Sequence, residues 1–551
     1  MELTKTTDGS LLANMLHAAA INLRTHKQAI NNLNVFPIPD GDTGDNMLLT
    51  MMGGVDAIDC GETSVCEVSR QAANGMLLSA RGNSGVILSQ LFDGIAEGLD
   101  GLDSADNVQI ANAMRCGVQH AYSAVMEPTE GTILTVARCG SEYAAEQTPQ
   151  NLEEYLDNFL AEAKHTLDRT PEMLPVLKNA GVVDSGGAGL VYIIEGMRKA
   201  LTGEINFDEY KLSAEQITQD IDLDLFTEDS ILEYGYCTEL LLRLQKSKTN
   251  PERFEVSTIT EYLKKIGDSV VAFKTGSIVK IHVHTMTPDK VLGFCQMYGE
   301  FLKIKIENMS LQHNNAAIEE IPVSVSPRPP RRRYGVVAVC SGEGIKKLFA
   351  ERGADVIVDG GQSMNPSAEE FLIAFRQINA DTVFVLPNNA NVILSAKQAA
   401  SLYSGADVRV VESKTIGEGY AALSMLDPNA DSADQLTEEL RNAMRGVVTA
   451  EISKCVRDAD MQQTKVHMGD YIGFSGKELL TTADNRFDAL CATVDKLDFA
   501  KYDICILIRG AGASSEEAAK AEEYIRTQYP GKELYAIDGM QEVYEYILIL
   551  E

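Results

Sequence analysis

At 551 residues the chain exceeds what one hydrophobic core supports, roughly 250–300 residues, so about three domains are expected; the 45% of apolar residues argues for globular structure throughout. A formal net charge of −32 makes the surface repel nucleic-acid phosphates and anionic headgroups, which excludes DNA and RNA as partners. Ten cysteines scattered from Cys60 to Cys505 without a CxxC pair, and no apolar run of about eighteen residues, read as a reduced, cytoplasmic protein without stable membrane insertion.

Apolar residues at helical spacing from Leu11 to about Leu33 (Leu12, Met15, Leu16, Ala19, Leu23) predict a first helix capped by Asp8 or Ser10. Further helices are expected over about Ser69–Leu78, Gly85–Gly98, Asp106–Met126, Leu152–Asp168 and Ala188–Leu201, and an all-α bundle is their simplest packing. Residues 1–203 are assigned to this domain. Beyond it, strands Ser269–Phe273 and Ser277–His284 alternate with helix-like Ser257–Ile266 and Pro288–Tyr298, an α+β domain over 204–325. Residues 326–333, rich in proline and arginine, read as a solvated linker. From 334 to 551, the runs Tyr334–Val339, Val356–Val358, Thr382–Leu386, Val408–Val411 and Ile504–Ile508 alternate with helical stretches, the rhythm of a largely parallel α/β sheet. The fold class is therefore multidomain, all-α then α+β then α/β.

Candidate chemistry concentrates between Asn31 and Met47. Pro37 and Pro39 stop the first helix, Gly41 and Gly44 allow tight turns, and Asp40, Asp42 and Asp45 put three carboxylates within six residues. Such crowding is costly without a cation, and magnesium binds one or two carboxylates plus substrate phosphates at ~2.0–2.1 Å. An isolated Asp-Gly-Asp is more often a solvated turn. Two glycine-bearing loops shift that balance: Ser79-Ala-Arg81-Gly82-Asn83-Ser84-Gly85 and Asp184-Ser185-Gly186-Gly187-Ala-Gly189 each end just before a helical stretch, where N–H groups and helix dipoles can hold phosphate oxygens. Glu130-Gly-Thr132-Ile133 is a further candidate loop.

These loops resemble the nucleotide-binding domain of the dihydroxyacetone kinase L-subunit family. The longer phrases Leu33–Gly44, Ala80–Gln90, Glu130–Val136 and Val183–Gly189 look specifically like the ATP-binding subunit of bacterial fatty acid kinase, and the resemblance spans the whole chain. It implies a helical bundle or barrel holding ATP and two magnesium ions (Mg2+), with Asp40 and Asp42 as metal aspartates and Asn34 as a neighbouring polar ligand. Thr43, Gly44, Asn46, Arg81, Gly82, Asn83, Ser84, Gly85, Thr132, Asp184, Ser185, Gly186 and Gly187 are then expected around the nucleotide. Asp45 stands where the related subunits usually carry threonine, and either adds a metal ligand or repels phosphate.

In Ile278-Val-Lys-Ile-His282-Val-His284-Thr285, strand alternation turns both histidines to one face, where they either form a site or cover an exposed sheet. The resemblance adds Cys237 as their companion, a Cys-His-His set for zinc (Zn2+) or for assisting transfer. The last domain resembles the DegV-like fatty-acid-binding fold through Ala354–Ser367 and Leu386–Asn389. There Gly360, Gly361, Ser363 and Ser367 either face a carboxylate or make an ordinary loop and helix cap.

The activity so implied is phosphoryl transfer from ATP to a fatty acid carboxylate presented by a separate DegV-family acyl-binding protein; a homodimer is compatible with it. Two other functions compete: a dihydroxyacetone-type kinase with a hydroxyl acceptor, and a non-enzymatic lipid-binding or regulatory scaffold. A carboxylate acceptor, with a pKa of ~4.3, is already ionised near pH 7, so positioning matters more than a strong base.

Overall fold

The computed structural model describes residues 6–34, 41–59, 61–204, 236–245, 248–250, 254, 257–275, 278–308, 331–360, 365–461, 464–476 and 478–551. Two compact units emerge, one formed by 1–215 together with 329–551 and the other by 216–328. Among the described residues no helix is long and apolar enough to cross a membrane, and the cysteines are free thiols.

The first unit opens with helices α1 (Gly9–Asn31), α2 (Thr43–Asp56), α3 (Val65–Ser79), α4 (Gly82–Gly98), α5 (Asn107–Ser123), α6 (Ile133–Glu146), α7 (Leu152–Met173), α8 (Pro175–Ala180) and α9 (Ser185–Thr202). A two-residue strand β1 (Thr7–Asp8) pairs antiparallel with β2 (Ser104–Ala105) and ties the start of α1 to the start of α5. Several starts are fixed by side chains: Asp8 accepts the Leu11 N–H, Ser64 that of Glu67 and Asn151 that of Glu154, while Asp106 and Gln109 form a reciprocal capping box. Each such cap contributes ~1 kcal/mol. Leu12, Leu16 and Leu23 of α1 meet Met47 and Met51 of α2, Leu88 of α4 and Leu190 and Ile193 of α9 in one buried core. A fully buried leucine there contributes ~1.5–3 kcal/mol, so the apolar stripe of α1 is what holds the bundle around it.

The second unit is a four-stranded antiparallel sheet, order β4-β5-β3-β6, from β3 (Tyr236–Leu244), β4 (Gly267–Thr275), β5 (Ile278–Thr285) and β6 (Gly299–Asn308), with helices α10 (Ser257–Leu263) and α11 (Pro288–Gln296). Leu240, Leu242, Val279, Ile281 and Val283 are buried with Ile259, Leu263 and Val291, the period-two pattern of a sheet covered by helices on one face.

The carboxy-terminal part of the first unit holds two sheets. Strands β7 (Arg332–Cys340), β8 (Val356–Asp359), β9 (Ala380–Leu386) and β10 (Asp407–Val410) are all parallel in the order β10-β9-β7-β8. Crossovers α12 (Glu343–Glu351), α13 (Ala368–Gln377) and α14 (Ile393–Leu402) connect them. After the small hairpin β12 (Ala459–Met461) and β13 (Thr464–Val466), which follows β11 (Val448–Lys454), come β14 (Tyr471–Ser475), β15 (Glu478–Ala483), β16 (Ile504–Arg509), β17 (Glu533–Asp538) and β18 (Tyr544–Leu550). Their sheet, order β15-β14-β11-β18-β16-β17, is antiparallel except for β16 with β17. The expectation of a largely parallel sheet therefore holds for the first sheet and is corrected for the second. A link as short as Ser475 to Glu478 can only reverse the chain, because parallel neighbours need a crossover of about a dozen residues.

Helix α13 packs on α3 and α14 on α4, so the parallel-sheet layer lies directly against the helical part. Buried Gln398 of α14 accepts the Ser89 hydroxyl at 3.4 Å and donates to the Leu77 carbonyl.

Candidate nucleotide and metal site

The site is built on the junction of α1 and α2. Asn31, at the end of α1, accepts the Gly44 N–H at 2.7 Å and donates to an Asp45 carboxylate oxygen at 2.6 Å. A Cβ at Gly44 would lie 2.4 Å from the Lys27 carbonyl oxygen, so only glycine lets α2 start against α1. Lys27 Nζ pairs with the other Asp45 oxygen at 2.7 Å. Asp45 is thereby paired with a lysine and an amide, and this geometry gives it a structural task at the junction. Asn34 accepts the Thr43 hydroxyl at 2.8 Å, and the Thr43 oxygen accepts the Ser185 hydroxyl at 3.2 Å, which joins α2 to α9.

Asp42 occupies the cap position of α2. Burial pushes its carboxyl up to about 6, opposed by the hydrogen bond from Asn46 and reinforced by neighbouring Asp45. Asn365 Nδ2 donates to Asp42 Oδ2 at 2.5 Å. A partly buried carboxylate that no cationic side chain pairs among the described residues is one that a hard divalent cation completes, so Asp42 fits magnesium. Asp40 lies outside the described residues.

Four helix starts are linked in series here: α4 to α2, α2 to α9 and α9 to α6. Gly82, first residue of α4, has φ +57, and a Cβ on it would lie 2.6 Å from Asn46 Nδ2 of α2. Asn83, Ser84 and Gly85 complete the first turn of α4. Asp184 caps α9 by accepting the Gly187 N–H at 2.7 Å, also accepts from the backbone of Ile133 at the start of α6, and is pushed to about 6 by burial. Gly186 and Gly187 are buried in that first turn of α9. The cap positions of α2, α4 and α6, namely Asp42, Arg81 and Thr132, carry no side-chain cap bond; the Thr132 hydroxyl instead donates to the Thr129 carbonyl at 2.8 Å. Helix starts of this kind offer N–H groups and positive dipole ends to an anion such as phosphate.

Two expected phosphate contacts have other partners. Arg81 Nη1 donates to the Asn365 carbonyl at 2.9 Å and pairs with Glu370 at 3.1 Å, while Asn83 Nδ2 donates to Asn391 Oδ1 at 3.3 Å. Ser367 forms a reciprocal capping box with Glu370 at the start of α13, and its backbone bridges that of Arg81. Of its two sequence readings, helix cap is the one realised. Gly361 and Ser363 lie outside the described residues, whereas Gly360 lines a separate cavity with Asn388, Asn389, Gln541 and Glu451. Sequence reasoning missed Asn365 and Glu370, whose contacts with Asp42 and Arg81 span hundreds of residues, and Glu451, whose burial beside the cavity depends on distant strands and loops; such contacts leave no local pattern.

In the second unit Cys237 is the direct cross-strand partner of His284, and His282 pairs with Glu239. The side chains of Cys237, His282 and His284 lie outside what is described. Their positions alternate with the buried set Leu240, Leu242, Val279, Ile281 and Val283.

Three family models tile the sequence: the DAK2 domain over residues 37–199, the FakA-like middle domain of fatty acid kinase over 233–316, and the corresponding FakA-like C-terminal domain over 335–551. Protein YloV of Bacillus subtilis is 37% identical over 559 aligned residues, covering 99% of this chain and 100% of its own. The chain belongs to the FakA-like family of fatty acid kinase. Another relative, uncharacterized protein SH1689 of Staphylococcus haemolyticus, is 36% identical over 555 residues, 99% of each chain. Among solved structures, DegV, a fatty acid binding protein from Bacillus subtilis, aligns over 40% of this chain and 99% of its own at 15% identity and a TM-score of 0.31, too distant a likeness to carry weight. In this FakA-like chain, Asp42, Arg81, Thr132 and Asp184 all fall within the DAK2 match, while Asn365 and Glu370 come from the C-terminal match.

Proposed function

We propose that the helical part transfers the γ-phosphoryl group of ATP to the carboxylate of a fatty acid presented by a separate DegV-family acyl-binding protein, giving an acyl phosphate. The observation carrying this reading is the pair of adjoining helix starts without side-chain caps, those of α2 and α4, the first bearing a partly buried Asp42 that no cationic side chain pairs among the described residues; the uncapped start of α6 joins them through Asp184 of α9. Asp42, together with Asp40, would hold magnesium, which when bound supplies charge neutralisation to the β- and γ-phosphates.

The chain's own groups then position. N–H groups of the first turns of α4 and α6 would serve phosphate oxygens, and the Thr43 and Ser185 hydroxyls tie α2 to α9. The acceptor is already an anion near pH 7, so no side chain has to remove a proton from it. Cys237, His282 and His284 belong to this reading as a set that holds zinc or assists transfer.

Transfer from labelled ATP is the test, with oleate on a DegV-family acyl-binding protein in one arm and dihydroxyacetone in the other. Label in an acid-labile acyl phosphate is the expected result. Transfer to dihydroxyacetone alone would replace the acceptor, and no transfer to either would leave a nucleotide-binding scaffold.

A further inference from the structure

Helices α4 and α5 run against each other along a seam of small residues. A Cβ at Gly94 would lie 2.7 Å from the Cys116 carbonyl oxygen, and one at Gly117 would lie 2.4 Å from the Leu91 carbonyl oxygen. Backbones this close force the side chains flanking the seam together. Asp93 and Glu97 are one turn apart on α4, and Cys116 and His120 are one turn apart on α5, so each pair presents to one side of its helix.

The result is a mixed donor cluster. His120 Nε2 lies 2.8 Å from Glu97 Oε2, and His120 Nδ1 lies 3.3 Å from Asp93 Oδ2. Donor atoms of Glu97, Cys116 and His120 all fall within 4.8 Å of one another. Tetrahedral zinc, with bonds of ~2.0–2.3 Å, holds its ligand atoms roughly 3.3–3.8 Å apart, so small rotamer changes close the set. Asp93 at Nδ1 then fixes the tautomer that leaves Nε2 as ligand, the usual carboxylate–histidine–zinc arrangement.

We propose that Glu97, Cys116 and His120 form a zinc site with a fourth, exchangeable position, oriented by Asp93 and independent of the nucleotide loops. Glu97 lies fifteen residues beyond Gly82, about 22 Å along the α4 axis at 1.5 Å per residue. A purely ionic reading, with protonated His120 between two carboxylates, accounts for the histidine but not for a thiol facing the same two acids. Burial first, then Glu97 and Asp93, push the Cys116 thiol up, so without metal it keeps its proton. Zinc binding breaks the S–H bond, forms S–Zn and releases that proton to solvent. Nitrogen, oxygen and sulfur donors together select zinc over magnesium or calcium.

The test uses the full chain carrying Cys237→Ala and His282→Ala, so that the middle-domain set does not contribute. After chelator treatment and dialysis, titration with Zn(II) is expected to give one tightly held zinc per chain, lost on adding Cys116→Ala. Co(II) is expected to give a thiolate-to-cobalt charge-transfer band with the same dependence. Asp93→Asn, which preserves shape, should weaken zinc roughly 10–100-fold through the histidine it orients. In the wild-type chain, Zn(II) should slow alkylation of Cys116, read by peptide mass spectrometry, while leaving Cys491 unchanged. Equal zinc content with and without Cys116→Ala, no charge-transfer band, or unprotected Cys116 would each overturn the site and leave an ion-pair cluster.

Discussion

The side-chain amide of Asn365 donates to the carboxylate of Asp42 at 2.5 Å, joining the C-terminal part to the helix start on which the kinase reading depends. The same segment takes the Arg81 guanidinium through the Asn365 carbonyl and Glu370. A cation on Asp42 competes with Asn365 for that oxygen, and a phosphate on Arg81 competes with Glu370. Asn365→Ala is therefore expected to tighten binding of magnesium with a non-hydrolysable ATP analogue by about 5-fold or more, the worth of one lost competing hydrogen bond. Calorimetry on both chains decides it: unchanged or weaker binding would mean that Asn365 supports the occupied site.

Asp42→Asn separates chemistry from folding. Removing the carboxylate removes the cation's anchor, so phosphoryl transfer should fall by ~100-fold or more, corresponding to several kcal/mol of charge stabilisation. Because burial disfavours the charged form of Asp42, the variant should melt at the same temperature or higher by circular dichroism. Retained transfer would remove Asp42 from the site.

Much of this is legible in the sequence where periodicity is strong. The apolar stripe of α1 and the alternation in β5 are local patterns, and both elements form as expected. Helices α2 and α6 escape a local reading for a physical reason: neither has a side-chain cap, α2 carries Gly53 and Gly54 inside, and α6 opens on β-branched residues. Missing caps are also what the candidate site is made of, so local reading is weakest where the chemistry is. The Asp45 task depends on Lys27 lying across a turn, and the tasks of Arg81 and Ser367 depend on contacts nearly three hundred residues away.

Gly44→Ala tests the α1–α2 junction without touching a charged group. The added methyl meets the Lys27 carbonyl oxygen, fixed by helix geometry, at 2.4 Å and the Asn31 Oδ1, held by the Gly44 N–H, at 2.8 Å. Overpacking of this kind costs ~1–3 kcal/mol, and the shift of α2 should also weaken nucleotide binding. Urea denaturation with a parallel calorimetric titration reads both. A variant with wild-type stability would show that the junction has slack.

Glu451 gives a pH signature remote from the nucleotide. It is buried on β11 beside the Asn388 and Gln541 cavity, and burial, then Glu418, push its carboxyl from an ordinary 4.5 to about 8. The folded state therefore binds this proton more tightly than the unfolded chain does. Its contribution to stability is complete below about pH 4.5 and is lost as pH rises to about 8, beyond which the folded chain carries a buried, uncompensated charge. Glu451→Gln keeps the shape and cannot ionise, so it should be more stable than wild type at pH 9, by several kcal/mol at about 1.4 kcal/mol per pKa unit, with a smaller gain at pH 6. Urea midpoints at the two pH values measure the difference; parallel pH dependence of both chains would mean that Glu451 ionises like an exposed carboxyl.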